Sequence, residues 1–471
     1  MKKSFQKSMV LIGCLMLATW AVFAYANKRL SNHVTQVQTT TANSGILHFT
    51  GNLMQDKVYK NGNGRVSIAL TLQADTMPNQ EMKTDVDIVI VLDRSGSMEG
   101  NKLQDAKKSV VSILNSLTSN DRFALVTYSD AETIHCPLES VTDTFRNHLN
   151  AAVEQIIAAG GTHLSAGLQA GIQLFAQSTY KNKQRKLILI SDGLANRGII
   201  DMNSLCAITK NAAQETCSIT TLGVGLDFNE TLMTAMAVNG RGHYYFLENP
   251  SAFSKVFQQE LHESRTVAAS SLCIKIPLNN NFKLIDASGY PIEQKNNYAV
   301  FYPEELLSGQ TRQFFLTFQL PIQTITEFRL DGISVDYKHD EKPNQLTLSN
   351  SFIVKCVEDP NVAMSSINTS IWEQKVIQEE YNDLKEQVAA DIRSGNSKTA
   401  HDKINEYEAK QQAINSVVNS KEVTENLSRD VETLRNRVSA TFQGNKADVI
   451  EKQKKHSKEL QFEGYQGKKQ R

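Results

Sequence analysis

The stretch "VDIVIVLDRSGSMEG", residues 86–100, decides the fold. Its first half is apolar and β-branched, the composition of a strand buried on both faces. Its second half places one carboxylate and two hydroxyls, Asp93, Ser95 and Ser97, within five positions. Three small oxygen-bearing side chains therefore stand where a strand ends. Their chemistry suits a nucleophile, a helix cap or a metal ion.

Outward from this point, strands and helices alternate over residues 85–264. Candidate strands are Asp87–Leu92, Phe123–Tyr128, Lys186–Ser191, Ile219–Gly223 and Tyr244–Leu247. Between them, "KLQDAKKSVVSILNSL" sets Leu103, Ala106, Val110, Ile113, Leu114 and Leu117 on one helical face, and "DMNSLCAITKNAAQE" and "SAFSKVFQQELHES" behave similarly. Apolar strands with intervening helices predict an α/β, doubly wound, mostly parallel sheet covered on both faces.

The flanks differ. "VSIALTLQ" alternates Val66, Ile68, Leu70 and Leu72 with smaller or polar residues, and "FFLTFQL", "GISVDY" and "SFIVKCV" continue the two-residue period between 268 and 358. An antiparallel β-sandwich is expected, with residues 44–84 and 265–360 contributing and the α/β unit inserted in it or flanked by it. Residues 27–43, polar and Thr-rich, predict a linker. Residues 370–443 carry three helical stripes, beginning Ile377, Tyr381, Leu384, Val388 and Ile392, which predict a helical hairpin or bundle. Residues 444–471 are lysine-rich and poor in apolar side chains, the composition of a solvated tail.

At 471 residues the chain is long enough for two or three cores, and 50 basic against 50 acidic residues leave no global field for nucleic acid. Lys2, Lys3 and Lys7 precede an apolar run from Met9 to Phe23, and Ala24-Tyr25-Ala26 offers a cleavage site. Residues 1–26 therefore predict a secretory signal. Two other readings stand: an uncleaved membrane anchor, and a lipoprotein box at Leu11-Ile12-Gly13-Cys14. All three place the body outside the cytoplasm, in the periplasm, at the cell surface or beyond it. Membrane association would run through the N-terminal segment only. The remaining cysteines, Cys136, Cys206, Cys217, Cys273 and Cys356, are odd in number and irregular in spacing, so they read as scattered small hydrophobes with room for at most an unassigned bridge.

In an open parallel sheet, functional groups gather on loops at the carboxyl ends of strands. Besides Asp93, Ser95 and Ser97, "ILISDGLANRG" places Asp192 there, and "AAGGTHLSAGL" places Thr162 behind two glycines. Each has a bland reading: Ser95, Ser97 and Thr162 as helix caps, Asp192-Gly193 as a turn. Together they form a hard oxygen set suited to Mg²⁺, Mn²⁺ or Ca²⁺. Only two of the five are charged, so a divalent ion would stay electrophilic and accept a carboxylate from a partner.

The pattern D-x-S-x-S, then a distant Thr, then Asp in "SDG", resembles the metal-ion-dependent adhesion site of von Willebrand factor type A domains. The resemblance covers residues 85–264, including "TTLGVGLDFNETLM". It implies that Ser95, Ser97 and Thr162 ligate the ion directly or nearly so, and that Asp93 and Asp192 act directly or through water. The flanking β region and helical segment resemble those of bacterial secreted proteins carrying this domain. The expected function is that of an exported adhesion or assembly protein, not an enzyme, which binds an acidic side chain of a protein ligand through the metal. A structural or scaffolding protein with a vestigial metal site is the alternative. A metal-assisted hydrolase would need a general base near the ion, and the pattern offers none; "DRSGSM" is not a nucleophile elbow and "GVGLDF" is not a dinucleotide fingerprint.

Overall fold

The computed structural model describes residues 38–77, 84–178, 184–215, 217–248, 252–279 and 281–469. The expected signal or anchor at 1–26 lies outside the described residues, as does most of the expected linker. No helix among the described residues is long and apolar enough to cross a membrane.

Six strands form the central sheet, in the order Arg241–Leu247, Ser218–Val224, Gln184–Ser191, Val86–Asp93, Arg122–Tyr128, Glu132–Ser140. All neighbours are parallel except the last pair, where Glu132–Ser140 closes the edge antiparallel. Alternation explains how one strand feeds two cores. Val86, Ile88, Ile90 and Leu92 face the helices Asn101–Ser116, Asp143–Glu154 and Phe253–Arg265, while Val89 and Val91 face Leu164–Ala176 and Met202–Glu215. All six are almost fully buried, and each contributes roughly 1.5–3 kcal/mol of hydrophobic burial. The first strand in sequence lies in the middle of the sheet, so the order reverses between Val86–Asp93 and Gln184–Ser191. The crevice outside their carboxyl ends is the fold's switch point.

The Arg65–Ala74 strand, for which the sequence pattern announces no nearby partner, pairs antiparallel on one side with Leu47–Leu53, Gly51 opposite Leu70, and on the other with Thr311–Gln319, Leu70 opposite Phe314. The chain leaves the β region after this strand and makes the α/β unit. It returns where the Phe253–Arg265 helix runs into the Val267–Pro277 strand. Two antiparallel sheets face each other around one core that joins Phe49, Leu70 and Phe318 to Ile274, Phe301 and Val335.

Two expectations need correction. The end of the expected linker is a strand, Thr39–Asn43, which pairs with Leu47–Leu53 as a hairpin. Threonine is β-branched, and Thr40 is buried where its hydroxyl accepts from the Asn350 amide at 2.9 Å. The lysine-rich C-terminus is a helix, Lys446–Lys469, with Lys458, Leu460, Tyr465 and Lys469 buried. It packs against the Tyr381–Arg393 helix, and its lysines meet acids elsewhere: Lys458 with Glu230 at 3.0 Å, Lys469 with Glu304 at 2.8 Å, Lys468 with Asp383 at 3.0 Å and Glu386 at 2.8 Å. Charge complementarity thus adds to a short apolar face, in which Phe462 and Tyr465 pack against Tyr244.

Between residues 369 and 441 the chain is helical around Trp372, Val376, Leu384, Val388, Ile404, Val431 and Val438. A wide π turn at Val376–Glu380 shifts the stripe, so Val376 is fully buried and Ile377 only flanks the core. The five cysteines carry no disulfide among the described residues.

Candidate functional site

The switch point gathers the five residues named above. Asp93 ends its strand and is fully buried. The chain then turns through Gly96–Met98, pinned where the Arg94 amide donates to Tyr128 O at 2.9 Å and the Gly96 amide to Gly160 O at 3.1 Å. This turn folds Ser95 and Ser97 back over the strand end. The Ser95 amide donates to Asp93 Oδ1 at 2.8 Å, the Ser95 and Ser97 hydroxyls lie 3.1 Å apart, and Ser97 Oγ donates to Asp192 Oδ1 at 2.7 Å. Ser97 is exposed; Ser95 and Asp192 are buried.

Thr162 arrives on the Gly160-Gly161 loop. Gly160 has φ +80°, and a Cβ there would come within 2.8 Å of the Asp130 carboxylate. A Cβ on Gly161 would come within 2.7 Å of Arg197 Nε. The loop is then locked to its neighbours: the Gly161 amide donates to Asp130 Oδ1 at 2.6 Å, the Thr162 amide to Asn196 Oδ1 at 2.9 Å, and the Asn196 amide to Thr162 O at 3.1 Å. A Cβ built on Gly193 would lie 3.4 Å from Ser97 Oγ and 3.7 Å from Thr162 Oγ1, so both hydroxyls border the same small space. His163, adjacent in sequence, packs over Gly198 instead.

Three further residues complete the site. Ser191 Oγ donates to Asp93 Oδ2 at 3.0 Å. Tyr128 is fully buried beneath, its hydroxyl donating to Ile190 O at 2.9 Å. Lys102 Nζ lies 2.5 Å from Asp192 Oδ2. Ser191 had a signal, since it precedes Asp192 at the strand end. Tyr128 had the same signal, as the end of its strand in register with Asp93; Lys102 had none, because its proximity depends on how the loops meet.

Asp93 has no ion pair among the described residues, only neutral donors. Burial pushes its carboxyl up to about 6, and the nearby Asp192 charge adds to the rise against the hydrogen bonds from Ser95 and Ser191. Two buried carboxylates and converging hydroxyls form a donor set of hard oxygens that matches Mg²⁺, Mn²⁺ or Ca²⁺. The set lacks a hydrogen-bonded nucleophile–imidazole pair among the described residues. His135 is 2.8 Å from Thr127 Oγ1 on the antiparallel edge, and Cys136 beside it is buried, its thiol pushed up to about 12 by burial.

Comparison with known proteins fits this geometry. Residues 87–259 match the family model of the von Willebrand factor type A domain. An uncharacterized Escherichia coli protein, YfbK, is 27% identical over 217 residues, which cover 46% of this chain and 37% of that protein. The pig inter-alpha-trypsin inhibitor heavy chain H1 is 30% identical over 185 residues, covering 37% of this chain and 20% of that one. The chain thus spans well under half the length of either relative. Among solved structures, a von Willebrand factor type A protein from Catenulispora acidiphila shares the fold over 90% of this chain and 98% of its own, with TM-score 0.66 and 16% identity. The ArnB paralog VWA2 from Sulfolobus acidocaldarius does so over 90% and 99%, with TM-score 0.56 and 16% identity. Residues 87–259 of this chain are a von Willebrand factor type A domain.

Proposed function

We propose that this chain is an exported adhesion or assembly protein that binds a protein partner through a divalent cation, Mg²⁺ first among the candidates. Asp93, Ser95, Ser97, Thr162 and Asp192 would hold the ion. The observation that carries the reading is Asp93: a fully buried carboxylate beside a second one, surrounded by hydroxyls and without a cation of its own. Like charges at this depth disfavour joint ionisation. A hard divalent ion would relieve them, and with only two anionic ligands it would keep enough charge to attract an acidic side chain of the partner. The rest of the chain serves presentation: the loops around the ion are fixed by Asp130, Asn196 and Tyr128, and the β and helical regions hold the domain from below.

Scanning calorimetry with added Mg²⁺ or Mn²⁺ tests the reading. The cation should raise the melting temperature of the type A domain by a few degrees at saturating concentration. The rise should vanish in Asp93→Ala. Equal rises in both proteins would place the cation elsewhere. Ser95→Asp separates an adhesive ion from a structural one. The ion should remain, while Mg²⁺-dependent, EDTA-sensitive capture of partner is lost, because the added carboxylate neutralises the ion. Normal capture by Ser95→Asp would refute the acidic-ligand proposal.

A further inference from the structure

Lys102 stands in an unfavourable place for a cation. It is the second residue of the Asn101–Ser116 helix, where the helix dipole repels positive charge, and the first turn holds no acid to offset it. Its side chain folds back over the Gly96–Met98 turn. Nζ donates to Asp192 Oδ2 at 2.5 Å and to the Ser97 carbonyl at 3.3 Å. Its third wall is Gly225, on the loop after the Ser218–Val224 strand. Gly225 has φ +70°, and a Cβ there would lie 3.4 Å from Lys102 Cε and 3.5 Å from Nζ. The lysine therefore sits in a slot made by three loops of the switch point, with its side chain 28% exposed against none for Asp192.

The consequence is an asymmetry within the candidate site. Asp93 is met only by neutral donors. Asp192 has both oxygens engaged, Oδ1 by Ser97 Oγ and Oδ2 by an ammonium. A lysine that touches a proposed ligand has two opposite ways to act. It can support Asp192 so that the ion binds, in which case its removal weakens binding. Or it can compete, because it contributes a positive charge a few ångströms from the ion and engages one of the oxygens the ion would draw on. At such a separation, even with strong dielectric screening, the repulsion between a single and a double positive charge exceeds RT several-fold. Ser97 Oγ already orients Asp192 through the other oxygen, so support does not depend on Lys102.

We propose that Lys102 is an internal cation that competes with the divalent ion for Asp192 and holds the site's affinity down. The proposal rests on the cation reading of the site. It gives the site a built-in threshold: the ion binds only where its concentration outweighs a tethered ammonium, and a Lys102 freed from Asp192 leaves a positive charge at the rim for the partner's carboxylate.

Calorimetric titration of the full chain with Mg²⁺ and Mn²⁺ tests it, in the wild type, Lys102→Met, Lys102→Gln and Lys102→Arg. Both neutral variants should bind the ions at least about tenfold tighter than the wild type. Lys102→Arg keeps the charge and should stay within about threefold. In EDTA the neutral variants should melt below the wild type, because Asp192 loses its counter-ion, and saturating Mg²⁺ should close that gap. Gln preserves a hydrogen-bonding end, so it covers the case in which Met fails to fold. Unchanged or weaker binding by both neutral variants, or a melting gap that Mg²⁺ leaves open, would overturn the competitor role while leaving the cation site intact. No binding by any of the four proteins would overturn the cation reading itself, and this proposal with it.

Discussion

Asp87 and Asp93 bound the same strand, lie on the same face of the sheet and are both fully buried, yet their surroundings are opposite. Asp87, at the amino end, is held by the Arg122 guanidinium, with Nε at 2.8 Å and Nη2 on the other oxygen, and Arg185 stands 3.7 Å away. Asp93, at the carboxyl end, receives an amide and a serine hydroxyl. One end of the strand supplies its own counter-charge, while the other has two carboxylates near one another and a single lysine, on Asp192. A carboxylate that only supports a fold comes with its cation. A buried carboxylate without one points to a ligand. The same matching recurs at Glu304, buried between Arg312 and Lys469.

The sharpest way to break this contrast is to exchange each aspartate for asparagine, which keeps shape and removes charge. Asp87→Asn leaves Arg122 buried without its anion and should cost about 3–5 kcal/mol in chemical denaturation. Asp93→Asn, measured in EDTA, should change stability by less than about 1 kcal/mol, since it removes a charge with no partner. Equal losses would erase the distinction between the two ends.

A smaller effect is expected at Glu304. Burial alone would raise its carboxyl, but Lys469 and then Arg312 outweigh that and hold it well below the usual carboxylate range. The folded state therefore binds fewer protons at this site than the unfolded chain. The stability it contributes is present above about pH 4.5 and is lost as pH falls below that value. Lys469→Met should cost roughly 2 kcal/mol at pH 7 and move the midpoint of acid unfolding to higher pH. An unchanged acid midpoint would mean that the C-terminal helix docks by its apolar residues alone.

The smallest expected effect lies on the loop. Thr162→Ala removes one neutral oxygen that water can replace, so Mg²⁺ affinity should fall only about fivefold, roughly 1 kcal/mol, with stability unchanged in EDTA. A complete loss of binding would give the hydroxyl a weight equal to that of the aspartates.

Local pattern determined much of this protein. The β-branched run before Asp93, the period-two alternation in Arg65–Ala74 and Thr311–Gln319, and the helical stripes after 370 can be read from the sequence because each needs only neighbours a few residues away. That the five candidate residues would lie close together was legible for a related reason: a parallel strand ends where its apolar run ends, and loops at that end converge. Tertiary structure decided what depends on distant charge. Nothing near Lys102 in sequence announces Asp192, and nothing in the lysine-rich C-terminus announces Glu230, Glu304 and Asp383. A lysine reads as a solvated face when its partner is unknown; Lys458 and Lys469 become part of the interior because the buried carboxylates of Glu230 and Glu304, more than a hundred positions away, offset their desolvation.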